Sequence, residues 1–335
     1  MKTYILSIPF TIKLLLSFLL FVLVFFIAMI FGAADTTTKE VFLALFSSVK
    51  TDTLIMLREI RLPREVAAAF VGAGLSVAGA IMQGITRNPL ADPSLLGLTA
   101  GANAALALTI ALIPTANYFV IMVACFIGAA LGTILVVSIG SARKGGFSPF
   151  RIVLAGAAVS AFLYAIAEGI GLYFKISKDI SMWSAGGIIG TTWGQLQVIV
   201  PFIIIGIVIS LFFSRQLTIL SLNEEVAIGL GQKTTTIKFL LFFVVVILAG
   251  SAVALVGNLA FIGLMVPHIV RLVVGTDYRY ILPMSAMFGA TFLILADTLG
   301  RNLNAPFETP VSAIVALLGL PFFLLIVRKG GRAFS

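Results

Sequence analysis

The sequence has little charge, one cysteine and one histidine. Asp, Glu, Lys and Arg make up 10% of its 335 residues, against about 25% in an average soluble domain. Hydrophobic residues make up 60%, more apolar surface than a soluble fold of this size can hide. This excludes a soluble globular protein and implies lipid as solvent. Cys125 lies alone in an apolar run, so no intrachain disulfide is available. His268 is the single histidine, and no Cys/His cluster points to a bound metal or other resident cofactor. No G-x-x-x-x-G-K-[ST] occurs, so nucleotide hydrolysis would fall to another chain. A membrane enzyme needs acid, base, nucleophile or metal groups gathered at one depth, and the scattered acids here do not supply them.

What is present is apolar length. The net charge of +9 raises nucleic acid as a partner. The charges punctuate hydrophobic runs and form no basic face, however, so they read as membrane topology. The N-terminal run after Lys2 and Lys13 is too long for a signal-peptide core and lacks an A-x-A cleavage site. It reads as a retained first helix.

Charge-free intervals cover 14–34, 66–86, 93–142, 152–167, 180–214, 239–270, 280–296 and 309–327. A span needs about 20 residues. The 93–142 interval divides at Pro114-Thr115-Ala116-Asn117, and the 152–167 run extends past Glu168. The 239–270 interval is generous for one helix and tight for two. Basic residues stand at both chain ends, Lys2 and Lys13 against Arg328, Lys329 and Arg332. If both ends are cytoplasmic the helix count is even. The interval then splits near Gly257-Asn258, with an unusually short second helix. The expected fold is all-α: a single transmembrane domain over 1–335, with about ten helices. The resulting topology puts 14 Lys and Arg inside and 8 outside. The GxxxG pairs Gly97/Gly101 and Gly128/Gly132 are close to what 31 glycines give by chance, and are no evidence for a dimer face.

Polar residues narrow the function. Ion-driven transporters carry ionisable groups at membrane depth. Here Glu168 and Asp297 fall within predicted helices, Asp297 near an outer end and Glu168 near enough to an end to snorkel. Between Arg215 and Lys238, Ser221, Asn223, Glu224 and Glu225 read as a helix start with acids in its first turn. Leu222, Val226 and Gly229-Leu230 form one apolar stripe, and Gly231 ends the helix. Such a helix fits a partner's groove or rests on the lipid surface. Arg87-Asn-Pro-Leu-Ala-Asp-Pro-Ser94 reads as a tight turn; the other reading is a rigid corner fixing where the next helix begins. Arg61-Leu-Pro-Arg64 opens the second helix on the outer side, and Arg301 lies just past the ninth. These arginines are interfacial anchors or docking points for carboxylates.

These residues resemble the permease subunits of type II ATP-binding-cassette importers for iron–siderophore complexes, haem and vitamin B12. The resemblance rests on Arg61-Leu-Pro-Arg64, Arg87-Asn-Pro-Leu-Ala-Asp-Pro93, Leu96-Gly-Leu-Thr-Ala-Gly-Ala102, Val153-Leu-Ala-Gly156, and Gly257-Asn-Leu-Ala-Phe-Ile-Gly-Leu-Met-Val-Pro-His-Ile-Val-Arg271. Leu295-Ala-Asp-Thr298, Glu308-Thr-Pro-Val311 and Pro321-Phe-Phe323 continue it. It implies ten helices, an identical or paralogous second permease, two cytoplasmic ATPases that use the ATP, and an extracytoplasmic binding protein. The setting would be the bacterial cytoplasmic membrane with both termini cytoplasmic. By resemblance, Arg61, Arg64 and Arg301 dock the binding protein, Glu224, Glu225, Ala227 and Gly231 couple to the ATPases, and Ser148-Pro149-Phe150 match the cytoplasmic gate. The alternative reading is a secondary transporter working without an ATPase.

Overall fold

The computed structural model describes residues 8–32, 36–141, 149–185, 187–304 and 307–328. The chain begins with α1 (Phe10–Ile30), α2 (Thr38–Phe46) and the long α3 (Asp52–Thr86), which carries a wide π-turn at Leu57–Arg61. A 3-10 turn at Pro93–Leu96 leads into α4 (Leu98–Leu112), followed by α5 (Tyr118–Ser141) and α6 (Pro149–Phe174). Next come the short α7 (Ser177–Ser184), α8 (Trp193–Phe212), and the small α9 (Ser214–Leu222) and α10 (Glu224–Gly229). The chain closes with α11 (Thr234–Val256), α12 (Ile262–Val274), α13 (Tyr278–Asn302) and α14 (Val311–Arg328). Among the described residues, seven helices are long and apolar enough to cross a membrane, and three shorter apolar ones, α4, α12 and α14, bring the passes to ten.

The expected split of 239–270 is present. Gly257 (φ 72°, ψ −145°) ends α11, and α12 has only 13 residues. At 1.5 Å per residue α12 spans about 20 Å, too little for the whole hydrocarbon core.

Contacts sort the helix ends. Near the beginning of α1, Lys13 donates to the Val273 carbonyl at 3.0 Å and Ser17 approaches the Met284 sulfur at 3.7 Å. This is the basal end. At the other, apical end, Arg61 donates to the Met29 and Ile30 carbonyls at 2.7 and 3.1 Å.

Helix α3 is the axis of the bundle. Helix α3 packs against α8, α11, α12 and α13, and small residues permit this. A Cβ at Gly79 would lie 1.9 Å from the Gly263 carbonyl oxygen, and one at Gly72 would lie 2.2 Å from that of Gly289. Without a hydrophobic drive inside lipid, such close backbone approach is a main source of helix association. Gly101 and Gly128 likewise bring α4 onto α5, so those GxxxG pairs serve packing within the chain.

The 87–97 segment departs from the expected surface turn. Arg87 leaves α3 in a left-handed conformation (φ 51°). The chain then folds back until Pro93 packs at Gly263, beside Leu75 and Gly79, about two to three turns before the end of α3. Asp92 caps the 3-10 turn by accepting from the Ser94 amide at 2.8 Å. The rigid-corner reading describes it better: α4 and α12 both begin within the bundle rather than at its surface.

Candidate functional site

Three regions carry the polar chemistry. The apical one is an ion-pair cluster. Arg64 binds Asp297 through two nitrogens, Nε to Oδ2 and Nη2 to Oδ1, each at 2.9 Å. Its Nη1 holds both Glu308 oxygens at 2.9 and 3.0 Å. Arg301 Nε lies 3.1 Å from Asp297, and its Nη2 donates to Glu65. Arg61 turns the other way, onto the carbonyls that end α1 and onto Thr36 Oγ1 at 2.8 Å. Those carbonyls have no partner within their own helix, so a guanidinium is a natural cap. Arg58 treats the end of α2 likewise, donating to the Leu43 and Ala44 carbonyls at 3.0 and 2.8 Å. The π-turn of α3 sits where these two arginines leave it.

The cluster therefore balances Arg61, Arg64 and Arg301 against Glu65, Asp297 and Glu308 inside one chain. Arg61 and Arg301 are buried, at 5% and 4% exposure, while the Arg64 and Glu308 side chains keep 12% and 27%. Asp297, expected near the interface without a buried partner, is 1% exposed and held by two arginines. Glu65 directly precedes the charge-free interval at 66–86, where an acid reads as part of the surface. Glu308 stood in plain view within Glu308-Thr-Pro-Val311.

The middle region is an open-sided cavity of about 270 Å³ where α4, α6 and the α11–α12 break meet. Ser94, Thr99, Ser160, Tyr164 and Asn258 bring hydroxyl and carboxamide groups to it. Irregular backbone at membrane depth is tolerated where it is packed in protein or lines a wet cavity. Ser160, Tyr164 and Glu168 follow at intervals of four along α6, hence on one helix face. Tyr164 and Glu168 are exposed in the single chain.

The basal region is a platform of α9 and α10. Asn223 (φ −156°, ψ 142°) breaks the expected single helix in two, and its Oδ1 accepts from the Glu225 amide at 3.0 Å. Ala227 is buried, whereas Leu222, Val226, Ile228 and Leu230 are exposed at 68%, 47%, 58% and 68%. Gly231 follows with φ 78°. Glu224 binds Lys238 of α11 at 2.5 Å and lies 3.9 Å from Arg87 at the foot of α3. The Lys238 hydrogen bond holds its carboxyl below the usual range. Thr218 of α9 bonds Asp277 at 3.1 Å and accepts from the Tyr278 amide at 2.9 Å. A cleft of about 330 Å³ opens beside the platform between Gln83, Arg87, Ser221, Arg271 and Tyr278. Polar contacts thus join α10 to α3 and α11, and α9 to α13.

Of the matched gate, Ser148 lies outside the described residues. Pro149 and Phe150 open α6. Among the described residues no group of His, Cys, Asp and Glu is arranged to hold a metal.

A model of the FecCD transport family matches residues 19–329. The chain belongs to that family. This FecCD chain is 44% identical over 308 residues to the iron(3+)-hydroxamate import system permease protein FhuB of Bacillus subtilis (strain 168), covering 92% of this chain and 80% of that one. It is 40% identical to the iron-uptake system permease protein FeuB of the same organism, over 91% and 92% of the two chains. It is 36% identical to the Fe(3+) dicitrate transport system permease protein FecC of Escherichia coli (strain K12), over 82% and 84%. Among solved structures it resembles the inward-facing conformation of a metal-chelate type ABC transporter, with TM-score 0.83, 27% identity, and coverage of 95% and 99%. The FecCD chain is a multi-pass permease subunit with the type II importer fold. It transports rather than catalyses, and ATP is hydrolysed on a separate subunit.

Proposed function

We propose that this permease carries an iron(III)–siderophore chelate across a bacterial cytoplasmic membrane, with its basal end and both termini in the cytoplasm. The observation that carries the reading is the basal platform. Four large apolar side chains, Leu222, Val226, Ile228 and Leu230, are exposed on two short helices anchored by Ala227 and Glu224. An apolar patch of this kind, tied by hydrogen bonds to α11 and α13 and by a 3.9 Å ion pair to Arg87 at the foot of α3, suits a partner that pushes. Two ATPases in that role would supply the free energy, and the permease would be the bistable element.

The partly exposed polar face of α6 supports a second permease subunit, identical or paralogous, facing this one across the pathway. A carboxylate and a phenol at membrane depth are costly against lipid and ordinary against a wet passage. The cytoplasmic gate is assigned to Ser148, Pro149 and Phe150, the last two of which open α6.

At the apical end an extracytoplasmic binding protein would present acidic residues. Arg64 retains an exposed edge, so direct docking is assigned to it. Arg61 and Arg301 would act by holding the cluster around it, Arg61 on the end of α1 and Arg301 through Asp297.

The test is uptake of radiolabelled iron by a strain lacking this chain, with hydroxamate, catecholate and citrate chelates, haem and cobalamin as competitors. Loss of ATP-dependent iron uptake, restored by the wild-type chain, is the expected result. Unchanged uptake of every chelate would reject the reading.

A further inference from the structure

We propose that Glu168 is a charge filter, so that the pathway passes chelates of zero or positive net charge and holds back anionic ones. The inference rests on the reading that the exposed face of α6 lines the passage. The mid-depth cavity of about 270 Å³ is walled by Ser94, Thr99, Ser160, Tyr164 and Asn258 together with apolar groups, and none of its lining residues is charged. Its polar groups are neutral donors and acceptors, suited to the oxygen-rich surface of a chelate. One turn beyond Tyr164, towards the apical end, the same face carries Glu168, exposed and without an ion-pair partner among the described residues.

Other charges on the described part of α6 and its apical continuation are distant. Arg151 is about 25 Å down the helix, and Lys175 is about 10 Å up it. Lys175, Lys178 and Asp179 are exposed at the apical mouth, where water and salt screen them. Along α6, Glu168 is thus the fixed charge nearest the neutral cavity; off that helix Asp92 stands behind the lining residue Ser94, its Oδ1 engaged by the Ser94 amide at 2.8 Å. An ionised carboxylate exposed to lipid is disfavoured; the same group beside a wet passage is stable and acts on whatever moves past. A cargo charge within about 7 Å in a partly desolvated passage changes its rate on the order of tenfold per unit.

The cargo class follows from simple charge arithmetic. Three monoanionic hydroxamates neutralise iron(III), leaving a neutral complex. Three dianionic catecholates leave three negative charges. Glu168 therefore selects hydroxamate-like chelates over catecholate complexes within this one pathway.

The complete transporter, with ATPases and binding protein, is reconstituted in proteoliposomes and offered three linear iron(III) trihydroxamates. They share one chelating core and differ in the pendant group: a free ammonium (+1), its N-acetyl derivative (0) and its N-succinyl derivative (−1). Uptake is normalised to the binding protein's measured affinity for each. The wild type is expected to import the cationic and neutral probes on the order of tenfold faster than the anionic one. Glu168→Gln should bring the three rates together, and Glu168→Lys should reverse their order. Rate ratios unchanged in both variants overturn the filter, as does an equal fall for all three probes, which marks a structural role. ATP-independent uptake, or none, by the wild type overturns the proposed function itself.

Discussion

Arg301 reaches Glu65 across the interface of α3 and α13, and both side chains are sealed, at 4% and 0% exposure. Asp297, itself buried, links Arg301 to Arg64, and Arg64 with Glu308 forms the more exposed outer layer. The apical surface is therefore a balanced lattice of charge rather than a ring of free arginines.

Breaking that inner pair from one side leaves a buried charge without its partner, which typically destabilises by about 3–5 kcal/mol. Arg301→Ala should lower the thermal midpoint of the purified permease markedly. The double variant Arg301→Met with Glu65→Leu, which replaces both charges by apolar groups of similar size, should recover most of the loss. A single variant as stable as wild type would show that the pair contributes little.

The outer layer gives a different signature. Arg64→Glu should weaken binding-protein association at least about tenfold, with most of the change in association rate and a steep dependence on salt. Membrane insertion should be unaffected. Surface-plasmon measurements on nanodisc-embedded permease at low and high ionic strength would report this, and undiminished association would remove Arg64 from docking.

At the basal end, Glu224 is held below its ordinary value near 4.5, chiefly by the hydrogen bond from Lys238. The tether is therefore fully present above about pH 4.5 and fades only as pH falls through the lowered value. Glu224→Gln should loosen it at every pH and partly uncouple ATP hydrolysis from transport. In the wild type, ATP consumed per iron imported should be flat from pH 6 to pH 8. A strong dependence within that window would show that another group governs coupling.

Gly231 stands at φ 78° with open space around it, so a side chain there strains the backbone without clashing. A left-handed conformation disfavours most residues by roughly 1–2 kcal/mol, and asparagine by less. Gly231→Val should raise ATP hydrolysed per iron imported by several-fold, while Gly231→Asn should stay close to wild type. Equal behaviour of the two would clear this backbone position of a coupling role.

Much of the fold was legible because lipid imposes a simple rule on sequence: backbone groups must be satisfied within the helix, so spans appear as long apolar runs. Pro114 marked one loop, and Gly257 marked the division of the longest ambiguous interval. The exposed apolar residues around Ala227 were also visible as a stripe, though the break at Asn223 was not. A single asparagine is compatible with either a helix start or a junction between two helices, and here it serves as both.

The sequence by itself determined where the apolar runs lie, the absence of nucleotide-hydrolysing and metal-binding patterns, and where polar residues are scarce enough to matter. The tertiary structure alone decided which of them meet. Arg64 and Asp297 are 233 positions apart, and local periodicity carries no information about a pairing set by how α3 and α13 cross. Depth was hidden for the same reason. Asp92 and Pro93 look like part of a surface turn until Gly79 and Gly263 let the backbone in beneath them. Apolar runs report a solvent; contacts between runs depend on the shapes left when side chains are small.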